Sequence, residues 1–314
     1  MPIDIRVLGP IRLLSDGREV RLGDRKQRLM LAILAIENRL LEKPQLIGRL
    51  WDEDKDPEHA VRQLHSYANR IRAALNDAGL DGATVLTTVH DVGYRLDIDR
   101  NWVDYHRFLD LKGQAEAAAA RRDPAHAARF GRRALAEWGG AAGLLGGTPL
   151  ETDAHQLRGR IRAMQMEHRA MLMLTLQAEM DCGQHRKLIP EMDRLAADNY
   201  ASDDQELARL RMLAHFRAGQ TKEAIAVYER LEDVLEEKTG SKPDEETREM
   251  QRRIKKDDET LKRSDAMPDP DADPEEDTEP ARGAAKSITY QTGANARAFT
   301  AHRDLIYNEG SETT

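Results

Sequence analysis

Residues 57–75 read Pro57-Glu-His-Ala-Val-Arg-Gln-Leu-His-Ser-Tyr-Ala-Asn-Arg-Ile-Arg-Ala-Ala-Leu75, and this stretch decides how the rest of the chain is interpreted. Aliphatic residues return along it at alternating spacings of three and four. They are Val61, Leu64, Ala68, Ile71 and Leu75. That period predicts an amphipathic helix that buries one stripe of side chains.

The opposite face of this helix carries hydrogen-bonding side chains. At about 100° per residue these side chains point away from the apolar stripe. They are Arg62, Gln63, Ser66, Asn69 and Arg70. Such side chains hydrogen-bond base edges and phosphates in the major groove of DNA. The same composition also fits an ordinary solvated helix face, so the neighbouring segments have to decide between the two interpretations.

The segment before the helix predicts short strands followed by two more helices. Alternating apolar residues within 3–22, interrupted by turn residues, indicate the strands. Asp24 is the predicted N-cap of a first helix over residues 25–37. A second helix is predicted after Pro44, so the basic helix is the third.

The segment after the helix predicts a hairpin. Residues 85–89 and 93–98 are rich in β-forming residues and are joined by His90-Asp-Val92. Three helices followed by a two-stranded hairpin describe a winged helix-turn-helix domain. In that arrangement the third helix enters the major groove, and the hairpin, or wing, lies beside it on the DNA backbone.

The composition fits a mainly helical protein of the reducing cytoplasm. The chain has 314 residues, of which 40% are hydrophobic and only 4% aromatic, enough for two ordinary domains and a tail. A single cysteine, Cys182, excludes an internal disulfide framework and a cysteine-based zinc site. The sequence predicts no signal peptide and no membrane span, so we expect a soluble, cytoplasmic, nucleoid-associated protein.

The charge is unevenly distributed. The formal net charge is −8, but residues 257–280 contain eleven acids against Lys262 and Arg263, a net charge of −9. The rest of the chain is therefore close to neutral. This distribution permits DNA binding without requiring it.

Several short motifs of the first hundred residues occur in the order known from one family. They are Val7-Leu-Gly-Pro10, Arg25-Lys-Gln-Arg28, Leu50-Trp51, Asn69-Arg-Ile-Arg72 and Gly93-Tyr-Arg-Leu96. Together they resemble the winged-helix DNA-binding domain of the actinobacterial antibiotic-regulatory-protein activators. The sequence departs from that family at His90-Asp-Val92, where prolines are common, and at Asn69, where serine is usual. Both departures leave the DNA target sequence open.

Residues 101–256 predict helices alone. A spacing of small or aliphatic residues at i, i+4 and i+7 recurs three times, as stacked helix pairs require. The residues are Ala127, Gly131 and Ala134, then Leu188, Met192 and Leu195, then Ala224, Tyr228 and Leu231. This part, with a long helix expected over about residues 150–182, resembles the bacterial transcriptional activation domain of the same family. It departs from the family at Asn199-Tyr-Ala-Ser202 and in the glycine-rich stretch after Gly139.

We therefore predict a mainly α fold whose parts follow one another along the chain. They are an N-terminal winged helix-turn-helix (α+β) over residues 1–100, an all-α, tetratricopeptide-like helical repeat domain over 101–256, an acidic disordered linker over 257–287, and a short β-like or disordered tail over 288–314. The linker prediction follows from its acids and prolines, which cannot form a core.

The sequence offers no candidate for catalysis. The histidines do not cluster at metal-ligand spacing, and the glycine-rich run 139–147 lacks the Gly-Lys-Ser/Thr ending of a phosphate loop. The carboxylates lie in solvated charge runs, so no perturbed acid is indicated. We expect neither a metal nor another cofactor, and no enzyme activity.

The main functional hypothesis is a sequence-specific DNA-binding transcriptional activator. The predicted DNA-binding residues are Arg62, Gln63, Ser66, Asn69 and Arg70 on the helix, Arg72 and Arg25 as phosphate contacts, and His90, Tyr94 and Arg95 in the wing. The family resemblance further implies direct-repeat promoter sites on double-stranded DNA, a homodimer or DNA-induced dimer, and recruitment of RNA polymerase holoenzyme.

Two other hypotheses remain open. A helical-repeat adaptor or signalling protein could use the winged helix for protein interaction, and the acids between Asp52 and Glu58 favour this because they would repel phosphates. A helical domain that senses a ligand or peptide is the third hypothesis. Steep salt dependence would distinguish DNA binding from the adaptor.

Overall fold

A computed structural model describes residues 3–51, 57–139, 149–151, 155–197 and 202–262. Within these residues the chain is mainly helical, and its strands are confined to the first hundred residues. The predicted fold class, a small β-containing winged domain followed by a helical domain, is confirmed. The predicted linker beyond residue 262 and the predicted tail lie outside the described residues.

The winged domain contains six short strands and four helices within the described residues. They are β1 (Ile3–Arg6), β2 (Arg12–Ser15), β3 (Arg18–Val20), α1 (Arg25–Glu37), β4 (Leu41–Glu42), α2 (Lys43–Leu50), α3 (Pro57–Asp77), α4 (Gly82–Val85), β5 (Leu86–Val89) and β6 (Gly93–Leu96). They form two antiparallel sheets, with strand orders β1-β2-β3 and β4-β6-β5. The predicted hairpin is thus the β5–β6 pair, with β4 added along β6.

Helix α1 begins and ends where the sequence predicts. The Asp24 side chain accepts a hydrogen bond from the Gln27 backbone N–H at 3.0 Å, so it caps the helix. At the other end, Asn38 adopts a left-handed conformation with φ 45°, which asparagine tolerates better than most residues. Because α1 lies at the centre of the domain, residues 29–36 are all buried.

Strand β4 has only two residues and was not predicted. Leu41 pairs with Tyr94, and Glu42 pairs with Gly93. A Cβ atom on Gly93 would overlap the Leu41 carbonyl, so glycine is required there for the two backbones to pair.

The helical domain consists of seven helices in the described residues, preceded by a 3-10 turn at Arg100–Trp102. They are α5 (Asp104–Ala120), α6 (Pro124–Ala136), α7 (Arg158–Asp181), α8 (His185–Ala197), α9 (Gln205–Arg217), α10 (Thr221–Thr239) and α11 (Glu245–Lys255). Each packs against the next, and α7 also contacts α5 and α9, while α9 contacts α11. Helices α5, α7, α9 and α11 therefore stack in one layer, as in tetratricopeptide-like arrays.

The repeated spacing predicted from the sequence coincides with the packing faces of α6, α8 and α10. All nine residues at those positions are buried. One close approach is at Gly131, where a Cβ atom would overlap the Thr175 hydroxyl of α7. A larger residue at position 131 would therefore force α6 and α7 apart.

Two predicted boundaries are wrong. The long helix begins at Arg158 rather than near residue 150, because short 3-10 turns at Pro149–Glu151 and His155–Leu157 precede it. The first six residues of the predicted linker are also ordered: Glu259–Leu261 forms a 3-10 turn, and the Arg217 guanidinium donates to the Leu261 carbonyl at 3.0 Å. Leu261 is buried, which explains why the chain stays ordered past residue 256.

The two domains meet at the first turn of α5. The Asp104 carboxylate accepts hydrogen bonds from the backbone N–H groups of Val7 (2.9 Å) and Leu8 (3.2 Å), and from that of Tyr105 (2.7 Å). These bonds hold the backbone at Val7 and Leu8, directly after β1 ends at Arg6. The side chain of Asp104 is buried, so the carboxylate is held by backbone donors rather than by water.

The next residues of α5 add contacts across the same joint. His106 Nε2 hydrogen-bonds the Ala35 carbonyl of α1 at 3.0 Å. Nε2 is the donor, because a carbonyl oxygen can only accept, and burial lowers the pKa of His106. The Arg107 guanidinium contacts Asp4 at 2.9 Å and Glu137 at 2.7 Å, which connects β1 to the end of α6.

Removal of the Asp104 carboxylate should destabilise the whole chain. In Asp104→Ala, three buried N–H groups would lose this acceptor, and we expect the free energy of unfolding to fall by about 2–4 kcal/mol. Urea denaturation measures this change. Asp110→Ala is the control, because its ion pair with Arg100 is exposed and contributes at most about 1 kcal/mol. Equal effects in the two variants would contradict the assigned role.

The stability contributed by Asp104 should also depend on pH. Burial raises its pKa to about 7 from an ordinary value of 3.8, against the lowering effect of the backbone hydrogen bonds. The folded state therefore binds one more proton than the unfolded state between about pH 4 and pH 7, and stability falls as pH rises through that window. We expect the advantage of the native chain over Asp104→Asn, measured by urea denaturation, to shrink from pH 4 to pH 7. An advantage that grows would have the wrong sign.

Candidate nucleic-acid interface

The apolar stripe that α3 buries is rotated slightly about the helix axis relative to the predicted stripe. Four predicted residues are fully buried, namely Leu64, Ala68, Ile71 and Leu75. Val61 is only partly buried, and Ala60 and Ala74 complete the stripe instead. The stripe packs against α1 and α2, so the opposite face of α3 is directed away from the domain.

The polar face of α3 lies in solvent. Arg62, Ser66, Asn69 and Arg70 are exposed, and Gln63 is half-buried. Their side chains are within reach of a bound macromolecule, as the sequence predicts. Their role as DNA contacts stays a prediction.

Arg70 is held by the residue that caps α1. Its Nη1 donates to Asp24 Oδ2 at 3.3 Å, while Asp24 Oδ1 accepts from the Gln27 backbone. One carboxylate therefore caps α1 and orients an arginine of the exposed face. A guanidinium fixed on one edge keeps its other N–H groups available for a second acceptor.

Arg72 differs from the predicted phosphate contact. It is half-buried, and it donates from Nε to the Leu86 carbonyl at 2.9 Å and from Nη2 to the Thr88 hydroxyl at 2.7 Å. A third bond runs from Nη1 to Asn69 Oδ1 at 3.1 Å. Two of its five donors thus join α3 to the wing strand β5 and a third stays within α3, so Arg72 fixes the angle between the helix and the wing.

The bond from Arg72 also orients Asn69. Because arginine can only donate, the amide oxygen of Asn69 must face Arg72. The amide nitrogen is then left to donate outward from the exposed face. In this orientation Asn69 suits acceptor atoms such as the O6 and N7 of guanine.

The predicted wing residues have three different environments. Tyr94 is 1% exposed and its ring lies edge-on to His65, with centroids 6.3 Å apart. The predicted contact by Tyr94 is therefore corrected to a supporting role beneath the wing. His90, 97% exposed, lies at the hairpin turn next to Asp91, and Arg95 is exposed and pairs with Asp97 at 2.7 Å.

The sequence did not reveal an aromatic stack beside this face. Trp51 and Tyr67 are stacked at 6.1 Å with an interplanar angle of 9°, and Lys26 Nζ lies 5.1 Å from the centroid of the Trp51 ring. Burial raises the pKa of Tyr67, with Asp24 adding to the effect. Arg25 is exposed at the start of α1, next to this stack in sequence. The only sequence signal for the stack was the order of Arg25-Lys-Gln-Arg28 and Leu50-Trp51.

Three arginines of the interface are paired with acids of the same domain. Arg62 lies 3.7 Å from Glu58, Arg70 lies 3.3 Å from Asp24, and Arg95 lies 2.7 Å from Asp97. All three arginines are at least half exposed. Exposed ion pairs of this kind contribute about 0–1 kcal/mol, so exchanging the carboxylate for a phosphate has a small cost.

Comparison with known families assigns both domains. Residues 17–96 match the family described as "Transcriptional regulatory protein, C terminal", and residues 103–255 match the "Bacterial transcriptional activator domain". The transcriptional regulatory protein MoaR1 of Mycobacterium tuberculosis is 30% identical over 246 residues, which cover 77% of this chain and 75% of MoaR1.

The chain belongs to the antibiotic-regulatory-protein (SARP) family of transcriptional regulators. The family resemblance noted in the sequence is confirmed, and with it the membership of a family of transcription regulators. AfsR, MoaR1, EmbR and DnrI, four of its relatives, are each named as regulatory proteins.

Other SARP-family regulators match a smaller share of their own length. Regulatory protein AfsR of Streptomyces coelicolor is 32% identical over 79% of this chain but only 24% of AfsR. A solved structure, Mycobacterium tuberculosis EmbR in complex with a low affinity phosphopeptide, has a TM-score of 0.72 and 29% identity over 81% of this chain and 65% of that one. This chain therefore spans about a quarter of AfsR and two thirds of EmbR.

Two further features bear on this SARP-family regulator. In the described part of the chain, no helix is both long and apolar enough to cross a membrane. Nor do three His, Cys, Asp or Glu side chains come together there in a way that could hold a metal ion.

The role of Arg72 can be separated from phosphate binding by a conservative change. A lysine keeps the positive charge but cannot make three bonds from one planar group. We expect Arg72→Lys to lower the free energy of unfolding by about 1–2 kcal/mol, measured by urea denaturation. Arg62→Lys, on the exposed face, should change it by less than about 0.5 kcal/mol. If the Arg72→Lys chain is as stable as the native one, the structural role is wrong and Arg72 is again a candidate phosphate contact.

Proposed function

We propose that this regulator is a sequence-specific DNA-binding activator that inserts α3 into the major groove of promoter DNA and recruits RNA polymerase holoenzyme. One observation carries the proposal: the polar face of α3 is exposed directly beside the wing, in a chain that has both SARP-family domains in order. Within the DNA site, the side chains fall into three roles.

Base recognition is assigned to the middle of α3. Arg70, oriented by Asp24, and Asn69, oriented by Arg72, present donors to base edges. Arg62, Gln63 and Ser66 continue the same face toward the helix N-terminus. The outward amide of Asn69 favours a guanine or another acceptor-rich position in the operator.

Backbone contacts are assigned to the flanks. His90 and Arg95 in the wing and Arg25 at the start of α1 are exposed and positioned outside the helix face. Such contacts position the protein without specifying sequence. Tyr94 and Arg72 hold the wing in place from within the domain.

Assembly on the promoter follows from the family. We propose direct-repeat half-sites, with two copies of the chain bound side by side as a homodimer or as a dimer formed on DNA. The helical domain, matched to the bacterial transcriptional activator domain, would contact RNA polymerase.

The adaptor hypothesis is favoured by one feature of the interface. Arg62, Arg70 and Arg95 are already paired with carboxylates, which lowers the positive potential facing a duplex. An adaptor would bind DNA weakly and without sequence preference. Salt dependence and specificity therefore decide between the two functions.

The deciding experiment is site selection from random duplex DNA with the full chain, followed by a salt titration on the selected sequence. An activator should enrich one motif, and its affinity should fall linearly with salt on a double-logarithmic plot. The spacing of the enriched repeats would give the half-site separation. Failure to enrich any sequence would support the adaptor.

Arg70 provides the sharpest variant for this test. If it contacts a base, we expect Arg70→Ala to weaken binding by about 1–3 kcal/mol and to relax specificity at one operator position. Asp24→Asn is the informative companion, because asparagine still caps α1 but holds Arg70 without a charge. It should relax the same position to a smaller extent. A uniform loss across all sequences in Arg70→Ala would show a phosphate contact instead.

A further inference from the structure

A second positive surface lies on the helical domain. Residues 121–133 contain five arginines against one aspartate, a net charge of +4 in a chain whose formal net charge is −8. We call it the outer basic surface, and it comprises Arg121, Arg122, Arg129 and Arg133 around α6, with Lys187 and Arg194 on α8. All six side chains are exposed.

The arginines of this surface differ from those of the DNA site in their pairing. Within the described residues, Arg121, Arg122, Arg129, Arg133 and Arg194 form no ion pair. The nearby Asp123 is engaged by His126 and by the N-terminus of α6. The positive charge of these five arginines is therefore not neutralised by ion pairs within the described residues.

An internal ion-pair network holds the two helices of the surface together. Arg132 of α6 donates to Glu179 of α7 at 2.6 Å and to Glu191 of α8 at 2.7 Å. Burial lowers the pKa of Arg132, but the two carboxylates outweigh that effect, so its pKa is raised overall. Lys187 and Arg194 lie about one helical turn to either side of Glu191, so they are brought next to α6.

Phe130 orders the centre of the surface. The guanidinium carbons of Arg129 and Arg133 lie 5.3 Å and 6.0 Å from its ring centroid, and the His126 ring lies at 6.2 Å. Phe130 itself is only partly buried. A guanidinium over an aromatic ring keeps its in-plane N–H groups free for an anion. The two arginines are thus preorganised to bind carboxylate or phosphate.

The outer basic surface and the exposed face of α3 lie on different domains and share no residue. Arg121 follows the end of α5, a helix of 17 residues that spans about 25 Å from the domain joint. Arg133 lies one helical turn before Glu137, which bonds Arg107 near that joint. The joint contacts α1 at Ala35, whereas Arg70 contacts the opposite end of α1 at Asp24.

We propose that the outer basic surface is a docking site for a carboxylate-rich segment of a partner protein. Arginine binds carboxylates through paired N–H···O bonds, and the half-buried ring of Phe130 offers an apolar contact between the charges. The best ligand would combine several acids with an aliphatic or aromatic side chain. This site does not depend on the DNA-binding proposal.

The test uses the full chain and two labelled peptides. One peptide repeats Glu-Glu-Leu, and the other repeats Gln-Gln-Leu; fluorescence anisotropy measures binding at low salt. Arg129→Glu with Arg133→Glu reverses two charges at the centre of the surface. Lys222→Glu with Arg230→Glu reverses two exposed charges on α10 and changes the net charge by the same amount. Thermal melting of both variants controls for folding.

The proposal predicts a specific pattern. The native chain should bind the Glu peptide and not the Gln peptide, and the α6 variant should bind it at least about tenfold more weakly, a loss of about 1.4 kcal/mol. The α10 variant should bind it within about twofold of the native chain.

Other patterns would overturn it. Equal losses in the two variants would show that binding responds to net charge alone. If the native chain does not bind the Glu peptide, the proposed acidic ligand is wrong. If the α6 variant instead loses affinity for random duplex DNA while peptide binding is unchanged, the surface binds phosphates. Operator selection by the α6 variant should remain native in every case, so the result is independent of the DNA site.

Discussion

The carboxylate of Asp104 is the contact on which the arrangement of the two domains depends. It is buried, and it accepts hydrogen bonds from the N–H groups of Val7 and Leu8, directly after β1. A desolvated carboxylate is tolerated only where donors compensate for lost water. Here two of the three donors, the N–H groups of Val7 and Leu8, come from the winged domain and the carboxylate from the helical domain, so neither part satisfies these polar groups alone. His106 and Arg107 then extend the joint to α1 and α6.

The sequence predicted the winged helix because its local signals are short-range. A cap at Asp24 and a 3.6-residue period define α1 and α3 whatever surrounds them. Strand β4 escaped prediction because two residues carry no period, and its pairing requires the close approach allowed by Gly93. At the site, the exposed face of α3 followed from periodicity, whereas Arg72 and Tyr94 lie at edges where only tertiary contacts decide between core and solvent.

The charges of the molecule are divided between two kinds of surface. Around α3, Arg62, Arg70 and Arg95 each form an ion pair with a carboxylate of their own domain. Around α6, the arginines are held by an aromatic ring and by packing instead. An arginine already paired with a carboxylate, as around α3, can exchange that carboxylate for another anion. An arginine held by an aromatic ring, as around α6, can bind an additional anion. A chain with acidic overall charge can thus have two positive surfaces with different chemistry.

The ion pairs beside α3 also affect how counterions would be redistributed in the proposed DNA complex. A phosphate that displaces Asp97 from Arg95 releases cations from the duplex, but it leaves a bare carboxylate near the complex. That carboxylate attracts cations of its own from solution. Fewer ions are then released in total than arginines are engaged, so the slope of affinity against salt underestimates the phosphate contacts. The proposed complex therefore loses less affinity at high ionic strength than its number of arginines implies.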